Sequence, residues 1–200
     1  MTSFPAQARR VHDSTRSPQR RLHALRECTL HCAPYGFRAT WHHLIVTARI
    51  PRRLTDDLDA LVRAVDELQA VRDVVLPRAQ EYAAERRREK ATGRRIPQTS
   101  PPWNSWGWCQ IAYCPEPEHH PTTPLATVVQ AVFDRHAAGV SVDTHCLACG
   151  TERRLPGRGC PVCGVHADGP AARHHGILAA ERWQRIWHRE PDDGRASLAP

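Results

Sequence analysis

Large apolar side chains are scarce in this 200-residue chain. Leu, Ile, Val and Phe together supply 37 residues, or 18.5%, just under the level of about 20% below which disorder becomes a realistic interpretation. No apolar run approaches the roughly 18 residues that a membrane-spanning helix needs, which excludes a transmembrane protein. A core this thin favours an additional source of stability, and the eight cysteines are the obvious candidate.

Lysine is almost absent, since the chain contains one lysine and 27 arginines. A GC-rich bacterial genome would produce this ratio without any selection for binding. The net charge of +7 is uneven, because residues 1–26 and 86–95 each carry six basic residues and one acidic residue. Such local basic stretches suit a phosphate backbone, so the charge permits a nucleic-acid partner without demonstrating one.

The N-terminus also lacks the apolar segment of a secretory signal. We therefore expect a cytoplasmic protein. In the cytosol disulfides are rare, and clustered cysteines more often bind a metal.

Helical periodicity dominates the chain and predicts a mostly α-helical fold. The predicted helices cover residues 19–31, 38–48, 54–75, 78–92, 124–138 and 177–189. Thr55 is expected to cap the third helix, Pro77 to kink or end it, and Gly93 to end the fourth. Alternation at Val140 and Val142 predicts a short strand.

The clearest chemistry lies in two Cys-x2-Cys-Gly segments, formed by Cys146 and Cys149 and by Cys160 and Cys163. Two residues between paired cysteines allow a tight turn to aim both sulfurs at one metal, and the following glycine lets backbone N–H groups approach the sulfurs. Four thiolates would complete a closed tetrahedral Zn²⁺ site. The alternatives are two disulfides or four idle thiols.

Residues 140–167 resemble a zinc ribbon of the paired-knuckle type. The resemblance implies a structural zinc ion and association with nucleic acid or protein partners. The chain then divides into a disordered basic arm (1–18), a helical domain (19–95), a Pro-, Trp- and Cys-rich connection (96–123), a helix–ribbon–helix unit (124–190) and a disordered tail (191–200).

The other four cysteines suggest a second metal site. Cys28 and Cys32 are spaced to share one helix face, and they could join Cys109 and Cys114 in another four-thiolate set. Alternatively, histidines complete either pair, namely His31, His42 and His43 for the first and His119 and His120 for the second. An iron–sulfur cluster also uses four cysteines, and free cysteines are often simply well-buried small residues.

A nucleic-acid partner would be held by exposed arginines that neutralise phosphate. The candidates are Arg9, Arg10, Arg20, Arg21, Arg86, Arg87, Arg88, Arg94, Arg95, Arg153, Arg154 and Arg158. Residues 44–54 also look like the centre of a helix-turn-helix, with Arg49 where glycine is usual, although ordinary helical packing is the favoured interpretation. Three tryptophans, Trp103, Trp106 and Trp108, could stack bases but more often plug a core.

These patterns favour a non-enzymatic, zinc-stabilised protein associated with nucleic acid, most simply DNA. One alternative is a protein–protein adaptor that docks a partner through Trp183 and Trp187. Another is a metal-dependent nuclease or hydrolase, which would need an open ligand position in the second cysteine set. No catalytic residue is nominated.

Overall fold

A computed structural model describes residues 3–93, 112–113, 122–141, 144–152 and 160–167. Within this part of the chain the fold is mostly α-helical, as predicted. The elements are α1 (Phe4–His12), α2 (Pro18–His31), α3 (Phe37–Thr47), a 3-10 turn (Leu54–Asp56), α4 (Asp59–Thr92), β1 (Ala112–Tyr113), α5 (Leu125–Ala137) and β2 (His166–Ala167). The predicted helix over 177–189, the three clustered tryptophans and the tail lie outside the described residues, and the domain boundaries stay a prediction.

Helix α1 corrects the expectation of a disordered basic arm over residues 1–18. Its buried residues, Phe4, Gln7 and Val11, are three and four positions apart, so they form one face of the helix. This face packs against α2, and the Arg72 guanidinium lies 4.3 Å from the centre of the Phe4 ring. The neighbouring arginines give this segment the composition of a solvated tail, although it forms an ordered helix.

Helix α4 is longer and starts later than predicted. Thr55 lies in the 3-10 turn, and the capping role belongs to Asp57, whose Oδ1 accepts a hydrogen bond from the Ala60 amide at 3.0 Å. Pro77 neither ends nor divides the helix, which continues to Thr92. Residues on both sides of this proline pack against neighbours, with Val75 in the core and Arg78 over the Phe133 ring of α5. Gly93 ends the helix at a φ of +66°, as expected.

The segment between α3 and α4 is not a helix-turn-helix. Arg49 does adopt the left-handed conformation of the expected glycine, at a φ of +55°. However, residues 48–58 separate the two helices, whereas the motif joins them with three or four. The structure favours ordinary helical packing, in which Ile50 enters the core.

The core lies where α1, α2 and α3 meet the first half of α4. Its fully buried side chains include Leu25, Leu44, Leu61 and Leu68. Helix α5 extends this core along α4 with the five apolar residues of its predicted inner face, which are Leu125, Val128, Val129, Val132 and Phe133. His136, also predicted on that face, is only half-buried. Within the described residues, no helix combines the length and apolar character needed to cross a bilayer.

Glu67 joins three helices at one point. Its Oε1 accepts hydrogen bonds from His43 Nε2 of α3 at 2.8 Å and from the Leu125 amide at the start of α5 at 3.0 Å. Its Oε2 accepts one from Thr47 Oγ1 at 3.0 Å. Farther along, Arg78 of α4 pairs with Asp134 of α5 at 3.2 Å. The Arg78–Asp134 contact lies farther along both helices than the Glu67–Leu125 contact does. Helices α4 and α5 therefore run parallel.

A two-residue ladder connects distant parts of the chain. Ala112 pairs with Ala167 and Tyr113 with His166, in antiparallel register. The connection over 96–123 therefore places a strand beside the end of the cysteine segment. The strand predicted at Val140 is wrong, because its amide donates to the Arg135 carbonyl at 3.0 Å and, after Gly139 with its φ of +74°, closes the C-terminal cap of α5. Val142 lies outside the described residues.

Candidate metal centre

The first knuckle, residues 144–152, is a tight turn closed by backbone hydrogen bonds. The Gly150 amide donates to the Cys146 carbonyl at 2.7 Å, and the Cys146 amide donates to the Thr151 carbonyl at 2.8 Å. A bridge between His145 and Glu152 closes the base of the turn. Gly150 has a φ of +83°, which a residue with a side chain rarely adopts.

The second knuckle, residues 160–165, repeats this geometry. The Gly164 amide donates to the Cys160 carbonyl at 2.8 Å, and the Cys160 amide donates to the Val165 carbonyl at 3.1 Å. Gly164 also has a positive φ, of +69°. The two Cys-x2-Cys-Gly segments therefore fold alike, as their shared spacing predicts.

The two knuckles bring their four sulfurs together. Cys146 Sγ lies 3.6 Å from Cys163 Sγ, and Cys149 Sγ lies 3.5 Å from Cys160 Sγ. All four sulfurs are within 4.8 Å of one another. Tetrahedral bonds of about 2.3 Å place neighbouring sulfurs about 3.8 Å apart. The predicted four cysteines therefore form a cluster at metal-binding distance.

Backbone N–H groups and neighbouring thiols set the charge of the cluster. The hydrogen bond from the Cys163 thiol, followed by those from the Cys149 and Ala148 amides, outweighs burial and lowers the pKa of Cys146 to about 5. The same contact with Cys146, together with burial, raises the pKa of Cys163. The Val162 amide donates to Cys160 Sγ at 3.4 Å. These contacts thus favour a thiolate, the form that binds metal, at Cys146, and a neutral thiol at Cys163.

Arg135 of α5 holds the first knuckle against the helices. Its Nη1 donates to the carbonyls of both Leu147 and Ala148 at 2.7 Å. Its Nε would lie 3.0 Å from a Cβ placed on Gly150, so the guanidinium occupies the space that this glycine leaves. Sequence reasoning missed Arg135, because a cation in the last turn of a helix is explained by the helix dipole alone.

The proposed second set is only half described. Cys28 and Cys32 are fully buried and belong to the helical core. Burial raises the pKa of Cys28 to about 12, so this residue is a neutral thiol here. His43 is engaged by Glu67 through Nε2. Cys109, Cys114, His119 and His120 lie outside the described residues, and a second metal site stays a prediction.

The candidate phosphate-binding arginines are in different environments. Arg9, Arg20, Arg87 and Arg88 are exposed. Arg10 is half-buried and donates to Gln7 Oε1 at 3.2 Å.

Two further candidates have protein partners. Arg86 pairs with Glu89 of the same helix. Arg21 is only 4% exposed and its Nε donates to the Val11 carbonyl at 2.6 Å, so its prediction as a phosphate contact is wrong. The last five candidates, Arg94, Arg95, Arg153, Arg154 and Arg158, lie outside the described residues.

The two basic stretches are far apart on the helical body. His12, at the end of α1, pairs with Asp66 of α4 at 3.2 Å. Arg87 follows Asp66 by 21 positions in the same helix, which is about 30 Å at 1.5 Å per residue. Among the described residues, the two stretches do not form one compact patch.

The comparisons with known proteins give no match, whether to family models, to curated proteins or to solved structures. The likeness to a zinc ribbon therefore depends on the cysteine geometry alone.

Proposed function

We propose that the four-cysteine cluster binds one zinc ion as a closed structural centre of zinc-ribbon type. The observation that supports this most strongly is the pair of like knuckles with inter-knuckle sulfur distances of 3.5 and 3.6 Å. Four thiolates leave no ligand position for water or substrate, so this centre stabilises structure rather than supplying catalysis. Leu147 and Val165, one from each knuckle, are 1% exposed in the core, which ties the centre to the helices.

Two substitutions test this part of the proposal. Replacing Cys146 with serine removes a ligand, and we expect loss of bound zinc and a lower melting temperature, because metal binding and local folding share one free energy. Replacing Cys28 with serine alters a buried thiol outside the cluster, so zinc bound to the cluster should remain. Zinc-free wild-type protein with an unchanged C146S melting curve would contradict the proposal.

We further propose that the protein is non-enzymatic, cytoplasmic and associated with nucleic acid, most simply DNA. The support is the exposure of Arg9, Arg20, Arg87 and Arg88. The separation of the two basic stretches, about 30 Å along α4, matches about nine base pairs at 3.4 Å per step. An extended polyanion fits this spacing better than a small anion does.

Salt dependence is the measurement that tests this association. Each neutralised phosphate contributes about 0.9 to the slope of log affinity against log salt. R87A/R88A should therefore lower the slope magnitude by up to about 1.8. R52A/R53A is the matched control, since it removes the same charge from two exposed arginines outside the candidate set.

Random duplex and single strands are the probes, beginning at 50 mM salt. Equal losses in both double variants would indicate a net-charge effect without localised contacts. No salt-sensitive binding in the wild-type protein would reject the nucleic-acid proposal while leaving the metal centre intact.

A further inference from the structure

Helix α5 contacts the first knuckle of the four-cysteine cluster at one end and the three-helix junction at the other. Its first amide, that of Leu125, donates to Glu67. Its last turn carries Arg135, which donates to the first knuckle. The helix has 13 residues and so spans about 20 Å between these two points. A change in the conformation of the first knuckle can therefore alter the position of α5 and, through it, the contacts at Glu67.

The Arg135 contact depends on the shape of the first knuckle. One nitrogen, Nη1, reaches the carbonyls of Leu147 and Ala148, which are the two residues between Cys146 and Cys149. Both carbonyls face the guanidinium only while the turn between the two cysteines is closed. A metal bound to both sulfurs would hold that turn closed.

The burial of two apolar residues, Leu147 and Val165, depends on the shape of the knuckles in the same way; we call these residues the apolar anchors. Leu147 directly follows Cys146, and the Val165 carbonyl accepts the hydrogen bond of the Cys160 amide. Cys146 Sγ also lies 3.8 Å from that carbonyl. Both anchors are 1% exposed within the core. An opened knuckle would therefore withdraw an apolar side chain from the helices as well as the two carbonyls from Arg135.

We infer that Arg135 couples metal loading of the four-cysteine cluster to the packing of α5 against α4. This inference rests on the proposed metal centre. Metal closes the knuckles, the closed first knuckle presents two carbonyls, and Arg135 transmits this order to α5. Arg135 is thus a positioning residue that acts through α5. Coupling is reciprocal, so the packed helix must also raise the affinity of the cysteines for metal.

The test compares the full chain in zinc-free and zinc-loaded forms. Zinc affinity is measured by competition with a chelator, and hydrogen exchange is followed at Val128, Val129 and Val132. Zinc should slow exchange of these amides in the wild-type protein. R135A should abolish most of that difference and weaken zinc affinity by about 10-fold, the lower end of the range for outer-shell contacts at metal sites, because Arg135 bonds the turn between two ligands rather than a ligand.

Arg78 offers a matched control. It also binds α5, through Asp134 and the Phe133 ring, but these contacts are with the helix rather than the knuckles. R78A should speed exchange equally in both forms and change zinc affinity by less than about threefold. Should R135A not fold, R135K serves instead, because its single ammonium replaces the planar fork and should give a smaller loss of the same kind.

The outcomes separate this inference from the proposal beneath it. A wild-type protein that binds no zinc at the cluster would overturn both. Normal zinc binding, with R135A and R78A indistinguishable in affinity and in zinc-dependent exchange, would overturn the coupling and leave the metal centre standing. Selective loss in R135A supports the coupling.

Discussion

Replacing Glu67 with alanine should destabilise the helical body far more than the same change at its neighbour Asp66. The Glu67 side chain is 16% exposed, and its carboxylate accepts hydrogen bonds from three partners in two other helices, including the fully buried His43. Asp66 also pairs with a histidine, His12, but their side chains are 58% and 48% exposed. The two substitutions therefore remove like pairs that differ in burial.

The expected magnitudes follow from that difference. Removing one partner of a buried pair costs about 3–5 kcal/mol. Because Glu67 retains some contact with water, we expect a loss near the lower limit, about 3 kcal/mol. The exposed Asp66 pair should contribute less than about 1 kcal/mol. Chemical denaturation of E67A and D66A at pH 7 measures both, and equal losses would refute the assignment of Glu67 as the junction of α3, α4 and α5.

Glu67 also predicts the direction of an acid effect. Burial alone raises the pKa of Glu67, but the hydrogen bond and charge of His43 and the hydrogen bonds from Leu125 and Thr47 together lower the pKa. A depressed folded pKa contributes stability above the unfolded value, which is about 4.3 for glutamate, and that stability is lost as pH falls through the folded pKa. The stability difference between wild type and E67Q should therefore shrink below about pH 4.3. Both proteins are measured with excess chelator, and a constant difference from pH 7 to pH 3 would contradict the assignment.

Two further substitutions test local backbone arguments. P77A should raise the free energy of unfolding by about 1–3 kcal/mol, because a proline inside a helix removes one hydrogen bond and crowds the preceding turn; a loss of stability on denaturation would contradict this. G150A should cost more stability than G139A, measured with zinc bound: both glycines have positive φ, but only Gly150 faces the Arg135 guanidinium at 3.0 Å, while Gly139 has nothing within 4 Å. Equal costs would show that the guanidinium moves aside freely.

Regular apolar spacing made several elements predictable. The stripes that include Leu25, Leu44 and Val129 predict three of the helices to within a few residues, and the stripe that includes Leu61 predicts the first part of α4, because these side chains gain most from burial on one face. The four-cysteine cluster was predictable for a similar reason. Its two segments carry their own turn chemistry, in which Gly150 and Gly164 adopt positive φ.

The misses came from residues whose surroundings are set by the fold. Phe4 and Val11 are the only large apolar residues of a short helix that also carries Arg9 and Arg10, so their spacing alone does not distinguish this helix from a solvated tail. The sequence around Arg21 predicts a surface cation, but folding places its guanidinium beside the Val11 carbonyl. Pro77 stays helical because the packing of α4 on both sides outweighs a local preference.

The tertiary contacts could not be predicted from local patterns. Glu67 and Leu125 are 58 positions apart, and Arg135 meets the first knuckle only after the chain reverses beyond α5. In its own helix, Glu67 is explained as an exposed charge and Arg135 as a cation at the helix end. Only the three-dimensional arrangement shows that they join helices and knuckle.

Zinc stoichiometry tests the central claim most directly. Native mass spectrometry of the full chain and of C146S/C160S, which removes one ligand from each knuckle, measures the zinc held by the cluster whatever the other cysteines bind. We predict that the double variant holds one zinc ion fewer than the wild-type chain. The same zinc content in both proteins would contradict the assignment of these four cysteines as a metal centre.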